Sequence, residues 1–322
     1  MRVPILIVNR RHAFPDIRYL PMRIFLTGAT GFIGSHIARE LIVAGHQVLG
    51  LVRSPEGAKQ LAATGAEPYF GNLDDLESLQ RGAALADGVI HTAFNHDFST
   101  FVDNCENDRR VIEALGSALE GTQNPLIITS GVAMGAMGPY TLATEDNFNA
   151  ENPNPRRATE LAGLAVAKRG VSVSVVRLPQ VHDTHKQGLI TELIKLARQK
   201  GVSGYVEEGQ NRWSAVHISD VAEVYLRALE KNIADSRYHA VAEEGIPLRS
   251  LAEVIGYVLN VPVKRIAAKD AKEHFSWMSL LINHDMSASG TLTQERLAWK
   301  PVGPGMIEDI LMIHSANNNP TE

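Results

Sequence analysis

Residues 23–34 read RIFLTGATGFIG, and this stretch decides the fold. Residues 23–27 form a short apolar run of strand character. Residues 32–44 then carry Ile33, Ile37, Leu41 and Ile42 at helical spacing, closed by Gly45. Between them Gly28, Gly31 and Gly34 are spaced GxxGxxG. In a strand–loop–helix unit Gly28 permits the tight turn. Gly31 lets the backbone approach a pyrophosphate, because no Cβ stands in the way. Gly34 lets the helix pack close to the strand. The free N–H groups and the dipole of the helix start attract phosphates. The loop lacks the Gly-Lys-Ser/Thr ending of a P-loop, which argues against ATP. The expectation is a dinucleotide site built on Thr27, Gly28, Thr30, Gly31, Phe32, Ile33 and Gly34.

Outward from the loop, strand and helix patterns alternate. Strands are expected over 47–52, 67–70, 89–92, 126–129 and 172–177, and helices over 55–63, 76–81, 101–119 and 156–169. Such alternation predicts an α/β fold, a Rossmann doubly wound parallel sheet covered on both faces, over 22–180. Beyond Pro179 the texture changes. Helices are expected over 188–200, 221–231, 248–259 and 271–283, with short strands over 238–241 and 261–265. This is a smaller C-terminal α/β substrate-binding region over 181–316, interleaved with the core. Residues 1–21 are expected to lie outside the fold, so that deleting them leaves melting and cofactor binding unchanged.

The second strand ends Leu51-Val52-Arg53-Ser54. An NAD-preferring site places an acid near here to bind both ribose hydroxyls. Arg53, Ser54 and Lys59 stand here instead and suit the 2′-phosphate of NADP, with NAD the other possibility. After the third strand come Asn72, Leu73 and Asp74. Asp74 is placed to bond the adenine amino group, to cap the next helix, or to do both.

Composition narrows the function classes. The chain has 322 residues, 44% hydrophobic and 21% charged, with a formal net charge of −5 and no basic stripe. A small-molecule substrate is expected, and neither nucleic acid nor a membrane, since no apolar run approaches a membrane span. Cys105 is the only cysteine, so neither an intramolecular disulfide nor a thiolate zinc cluster can form. A cytoplasmic setting is expected. The histidines are scattered without an HExxH pattern, and no metal is expected.

These residues resemble the extended and atypical branches of the short-chain dehydrogenase/reductase superfamily, the branch of the NAD-dependent epimerases and dehydratases. The resemblance runs from Met22 to about Met312. TGATGFIG is similar to the family's glycine loop, and Asn72-Leu73-Asp74 to its adenine-side motif. Thr92-Ala93-Phe94, after His91, is similar to the strand end that borders the cofactor. Thr129-Ser130-Gly131 is similar to the active-site serine strand. Arg177-Leu178-Pro179 resembles the segment that cradles the nicotinamide, and Arg212-Trp213 with 217–222 the C-terminal signature. The resemblance implies a nicotinamide dinucleotide and a substrate oxygen oriented by Ser130.

One departure matters more. The family's proton donor is a Tyr followed four residues later by a Lys. Counting from Ser130, those places hold Arg156 and Glu160, and the chain has no such pair anywhere. The pattern therefore resembles a subgroup with a degenerate tetrad. The substitute proton donors are His182 first, then Tyr140. Glu160 is expected to face outward or to pair with Arg156 or Arg157. The family's Asn corresponds to Asn104, or the role falls to Asp103 or Asp108. His96-Asp97 lies on the cleft rim, either lining it or capping a loop. Arg212 is expected at a substrate acid or the pyrophosphate, Trp213 in the core, and Asp220 as the cap of the helix that follows. Two readings stand: an NADP-dependent oxidoreductase or epimerase/dehydratase-like enzyme, and a dinucleotide-binding sensor or scaffold without turnover.

Overall fold

The computed structural model describes residues 20–318, so the expectation for 1–21 falls almost wholly outside the described residues. The first half runs β1 (Arg23–Thr27), α1 (Phe32–Val43), β2 (Gln47–Val52), α2 (Pro55–Ala62), β3 (Glu67–Phe70), α3 (Leu76–Ala84), β4 (Gly88–His91), α4 (Phe101–Ser117), β5 (Pro125–Gly131), α5 (Arg157–Ala167) and β6 (Ser172–Leu178). The second half runs β7 (Gln180–His182), α6 (Ile190–Lys200), β8 (Ser203–Val206), β9 (Arg212–His217), α7 (Ile218–Lys231), β10 (Arg237–His239), β11 (Glu243–Pro247), α8 (Leu248–Leu259), β12 (Val263–Ile266), α9 (Ala271–Phe275), α10 (Thr291–Leu297) and α11 (Met306–Asn318).

Seven strands form one parallel sheet in the order β10-β6-β5-β4-β1-β2-β3. The chain leaves β1 toward β2 and β3, then returns to β4 on the other side. That reversal opens a crevice at the carboxyl ends of β1 and β4, the place where open α/β sheets bind ligands. The register aligns Thr27 with His91 and Ser130 with Arg177 along this edge. Side-chain alternation fills both faces. Ile24 and Leu26 pack with Ile37, Leu41, Val224 and Tyr225 toward α1 and α7, and Phe25 packs with Leu79, Val111, Leu115 and Val166 toward α3, α4 and α5.

The C-terminal region holds a three-stranded sheet, β11-β9-β7, and a parallel pair, β12-β8. Its core gathers Trp213, Leu248, Leu251, Phe275, Met306 and Ile310. The chain still crosses back, with β10 extending the main sheet beside β6 and α7 packing on α1. The expected helix over 271–283 is broken. Ser276 has φ 51°, and residues 276–280 continue as a 3₁₀ turn that buries Met278 while α9 buries Phe275.

Candidate active site

Each glycine of the loop is explained by what surrounds it. Gly28 has φ 72°, and a Cβ there would lie 2.7 Å from Thr92 Oγ1 and 2.9 Å from the Ala93 nitrogen. The loop therefore presses against the end of β4. A Cβ on Gly34 would lie 2.1 Å from the Gly28 carbonyl oxygen, so only glycine lets α1 start this close to the loop. A Cβ on Gly31 would meet only the Gly28 oxygen, at 3.1 Å, and otherwise enters the space a phosphate would take. No side chain caps α1 and its first turn holds no acid. These features fit a dinucleotide pyrophosphate. Thr30 is exposed, while Phe32 and Ile33 pack partly against the core.

Toward the adenine side, Arg53 and Lys59 are exposed. Ser54 caps α2 by accepting from the Gly57 N–H at 3.1 Å, which leaves its own O–H as a donor. Asn72 Oδ1 accepts from the N–H groups of Asp74 and Asp75. Asp75, not Asp74, caps α3, accepting from Ser78 N–H at 3.0 Å. The Asp74 carboxylate is left exposed beside the half-buried Leu73.

At the other end of the crevice a polar network joins six elements, β1, β4, α4, β5, α5 and α7. Thr27 Oγ1 accepts from the Thr92 and Ala93 N–H groups, each at 3.2 Å. Its single proton therefore goes to His91 Nδ1, 2.7 Å away, and His91 Nε2–H donates to Asp108 Oδ1 at 3.0 Å. Thr159 donates to Asp108 Oδ2, and Arg156 Nη1 lies 2.9 Å from that same oxygen. Burial opposes ionisation of Asp108, but Arg156, His91 and Thr159 together outweigh it and hold the carboxyl below its usual range. Arg156 Nη2 donates to the Thr129 carbonyl at 2.9 Å, and the guanidinium carbon sits 3.8 Å over the Phe94 ring. Thr129 Oγ1 donates to the His91 carbonyl and so accepts from Tyr225 OH. Ser130, the next residue, is buried, and its hydroxyl has no partner among the described residues. Burial lowers the pKa of His96, and Arg156 and Lys186 lower it further against a hydrogen bond to the Phe94 backbone. Phe94 meets Phe101 edge to face, and Phe101, Phe98 and Trp277 stack in turn, which ties the crevice rim to the C-terminal region.

Several expected residues lie elsewhere. His182 is fully buried, with Nδ1 2.6 Å from Asp309 Oδ2, an anchor for α11 rather than a group open to the crevice. Burial pushes its pKa down, against the pull of Asp309 and Glu243. Tyr140 is 71% exposed at φ 56° on a surface loop. Glu160 faces neither outward nor toward Arg156 or Arg157. It is buried and takes two hydrogen bonds from Arg177, at 2.7 and 2.8 Å, and one from Arg237. Pro179 is half-buried at the β6–β7 joint. Arg212 reaches Asp285 and Ser287, and Trp213 is core. His217 caps α7, whereas Asp220 accepts from the Val302 and Gly303 N–H groups. Asn104 holds the rim loop through Asn95, Asp97 and Thr100, and Asp103 is exposed. Asp97 caps the short turn at Phe98. Sequence reasoning left Asp108 unresolved and missed His91 as its partner. The available signal was Asp108 on the apolar stripe of α4 with Cys105, Val111, Ile112 and Leu115, a buried carboxylate that requires a partner.

Comparison with known proteins agrees with this layout. Residues 24–241 match the model of the NAD dependent epimerase/dehydratase family. An uncharacterized protein of Schizosaccharomyces pombe is 48% identical over 290 residues, covering 90% of this chain and 98% of that protein. A 4-hydroxy-2-methyl-3-oxo-4-farnesyl-3,4-dihydroquinoline-1-oxide ketoreductase of Stigmatella aurantiaca is 26% identical over 277 residues, covering 81% of this chain and 82% of that one. The fold matches UDP-glucose 4-epimerase of Thermus thermophilus, solved with NAD, with a TM-score of 0.68 at 17% identity over 93% of this chain and 100% of that one.

Proposed function

The chain belongs to the NAD-dependent epimerase/dehydratase family, and from that premise we propose that it is an NADP-dependent oxidoreductase acting on a small carbonyl or hydroxyl compound. The observation that carries the reading is Ser130. Its hydroxyl is buried and has no partner among the described residues at the carboxyl edge of the sheet, two strands from the glycine loop. Leaving such a group unpaired costs about 1–3 kcal/mol, and a ligand oxygen arriving there would recover it.

The bound nicotinamide supplies or accepts a hydride. The protein's own groups do the rest. Gly28, Gly31 and Gly34 shape the cradle, and the N–H groups at Phe32 and Ile33 receive the phosphates. Arg53, Ser54 and Lys59 hold the 2′-phosphate, and Asn72, Leu73 and Asp74 border the adenine. Thr92, Ala93, Phe94 and Pro179 border the nicotinamide, and Ser130 orients the substrate oxygen. With His182 sealed against Asp309 and Tyr140 facing solvent, the proton reaches that oxygen from water through Ser130. The ketoreductase among the relatives supports a carbonyl substrate. On this reading the protein works in the cytoplasm on a small molecule.

Calorimetric titration with NADPH and NADH tests the cofactor assignment. NADPH should bind at least about tenfold more tightly, because one charge-assisted phosphate contact contributes about 1.5–3 kcal/mol. Equal affinities would overturn the NADP assignment, and binding of neither would overturn the function.

A further inference from the structure

The place the family gives to its tyrosine is held here by Arg156, and its surroundings are built for a charge. Three contacts fix the guanidinium: the Thr129 carbonyl at 2.9 Å, the buried Asp108 carboxylate at 2.9 Å, and the Phe94 ring at 3.8 Å. Asp108 is itself held by His91 and Thr159, and His91 by Thr27, so the orientation of Arg156 is set by groups from β1, β4, α4 and α5. Two further facts concern what the guanidinium leaves unused. A guanidinium carries five N–H donors. Among the described residues Nη2 makes the one well-aligned hydrogen bond, while the buried Nη1 lies near Asp108 without alignment and Cys105 is a further, weak partner. The Arg156 side chain also keeps 14% of its surface exposed. The residue after Thr129 on β5 is Ser130, whose buried hydroxyl has no partner among the described residues. A fixed cation with spare donors and a free hydroxyl therefore share one end of the crevice.

We propose that Arg156 is a catalytic residue, its guanidinium holding the substrate oxygen while that oxygen carries negative charge, with Asp108 and His91 as positioning residues. This rests on the oxidoreductase reading above. In the reductive direction the carbonyl carbon gains a hydride from the reduced dinucleotide, and the π pair retreats onto oxygen. That oxygen takes the Ser130 hydroxyl proton, and Ser130 is reprotonated by water. Arg156 transfers no proton, because guanidinium stays protonated throughout. It does the electrostatic work that a lysine-assisted tyrosine does elsewhere in the family. A preorganised donor aimed at a developing oxyanion contributes about 10²–10³ in rate. Cys105, also near Arg156, does not compete for the role, since burial pushes its thiol up to about 11 and keeps it protonated.

The test measures NADPH oxidation against a panel of aldehydes, ketones and quinones, together with two equilibrium readouts: NADPH affinity, and acetate binding to the protein–NADP complex as a stable oxyanion. Arg156→Gln should lower turnover by about 10²–10³, leave NADPH affinity within about twofold, and abolish acetate binding. Millimolar guanidinium should restore at least about tenfold of the rate to Arg156→Ala and nothing to Ser130→Ala. Arg156→Lys, which keeps the charge without the fork, provides a folded comparison if the shorter variants melt early. Asp108→Asn should lower turnover without guanidinium rescue. Turnover of Arg156→Gln within about threefold of the natural protein would overturn this inference alone. So would a loss that guanidinium does not rescue and that leaves acetate binding intact. A natural protein that binds NADPH but oxidises it with no member of the panel would instead overturn the oxidoreductase reading, and this inference with it.

Discussion

Replacing Glu160 by Gln tests whether the family's lysine position has become part of the core. Glu160 and Arg177 are both fully buried, joined by two hydrogen bonds of 2.7 and 2.8 Å, with Arg237 adding a third at 3.0 Å. Glutamine keeps the shape but removes the charge, and it offers one oxygen where two were used. Arg177 is then left as a buried cation whose remaining partners are the carbonyls of Thr144 and Glu145 and the His239 ring. Breaking one side of a buried pair costs about 3–5 kcal/mol. With about 2.1 cal/mol/K per residue over 322 residues, the unfolding entropy is about 0.7 kcal/mol/K, so Tm should fall by about 4–7 °C. The assay is thermal unfolding at neutral pH, with NADPH affinity of the folded variant as a control that should not change. Replacing Glu160 and Arg177 together by Met should cost less than Glu160→Gln alone, because the only cation then left without Glu160 is Arg237, which reaches solvent. A Tm drop below about 2 °C would refute the buried-pair argument, and a lost NADPH affinity would return Glu160 to the cofactor site.

Four further outcomes are expected. Arg53→Asp should reverse the cofactor preference, with NADPH affinity falling about ten- to a hundredfold by titration; an unchanged preference would remove Arg53 from the 2′-phosphate. Gly34→Ala places a Cβ 2.1 Å from the Gly28 oxygen, so thermal unfolding should show a loss of about 1–3 kcal/mol and calorimetry a weakened NADPH site. Ser130→Ala removes an unpartnered buried hydroxyl, so its Tm should equal or exceed that of the natural protein while NADPH-dependent turnover falls at least about tenfold. Burial, aided by Arg177, pushes the His239 pKa down to about 3, well below that of a free imidazole, so the unfolded chain binds the proton first. That contribution to stability is complete above about pH 6.5 and is lost as pH falls toward about 3; His239→Gln should flatten this part of the stability–pH curve, and an unchanged slope would count against a neutral buried ring.

Where the apolar pattern is local and dense, the fold was legible. β1, β2, β3 and α8 fall at their expected bounds: β1 and β2 are continuous apolar runs, β3 sits in the strand–helix alternation, and α8 has helical apolar spacing. β7, β9 and β11 were not anticipated. They carry Gln180, His182, Arg212, Ser214, Glu243 and Glu244, and their ladder partners lie 28 or more residues away. α11 was missed as well, although its first turn is fixed by Asp309 on His182 and by Glu243 on the Met306 N–H. The site divides in the same way. The glycine loop is one continuous stretch whose spacing is its mechanism. The Arg156–Asp108–His91–Thr27 network draws on residues from separate elements, and only the sheet register and the packing of α4 on α5 bring them together. His182 follows the same logic in reverse. Its sequence distance from Pro179 put it near the nicotinamide, but the turn into β7 carries it into the C-terminal core.

The central claim is that this site moves a hydride between a nicotinamide and a small carbonyl compound. Label transfer tests it most directly. Protein incubated with NADPH carrying deuterium at the reactive C4 position and the panel of aldehydes and ketones should yield at least one alcohol with deuterium on the former carbonyl carbon, at a rate that Ser130→Ala lowers. Saturable NADPH binding with no deuterium in any alcohol would contradict the account and leave a protein that holds the dinucleotide without using it.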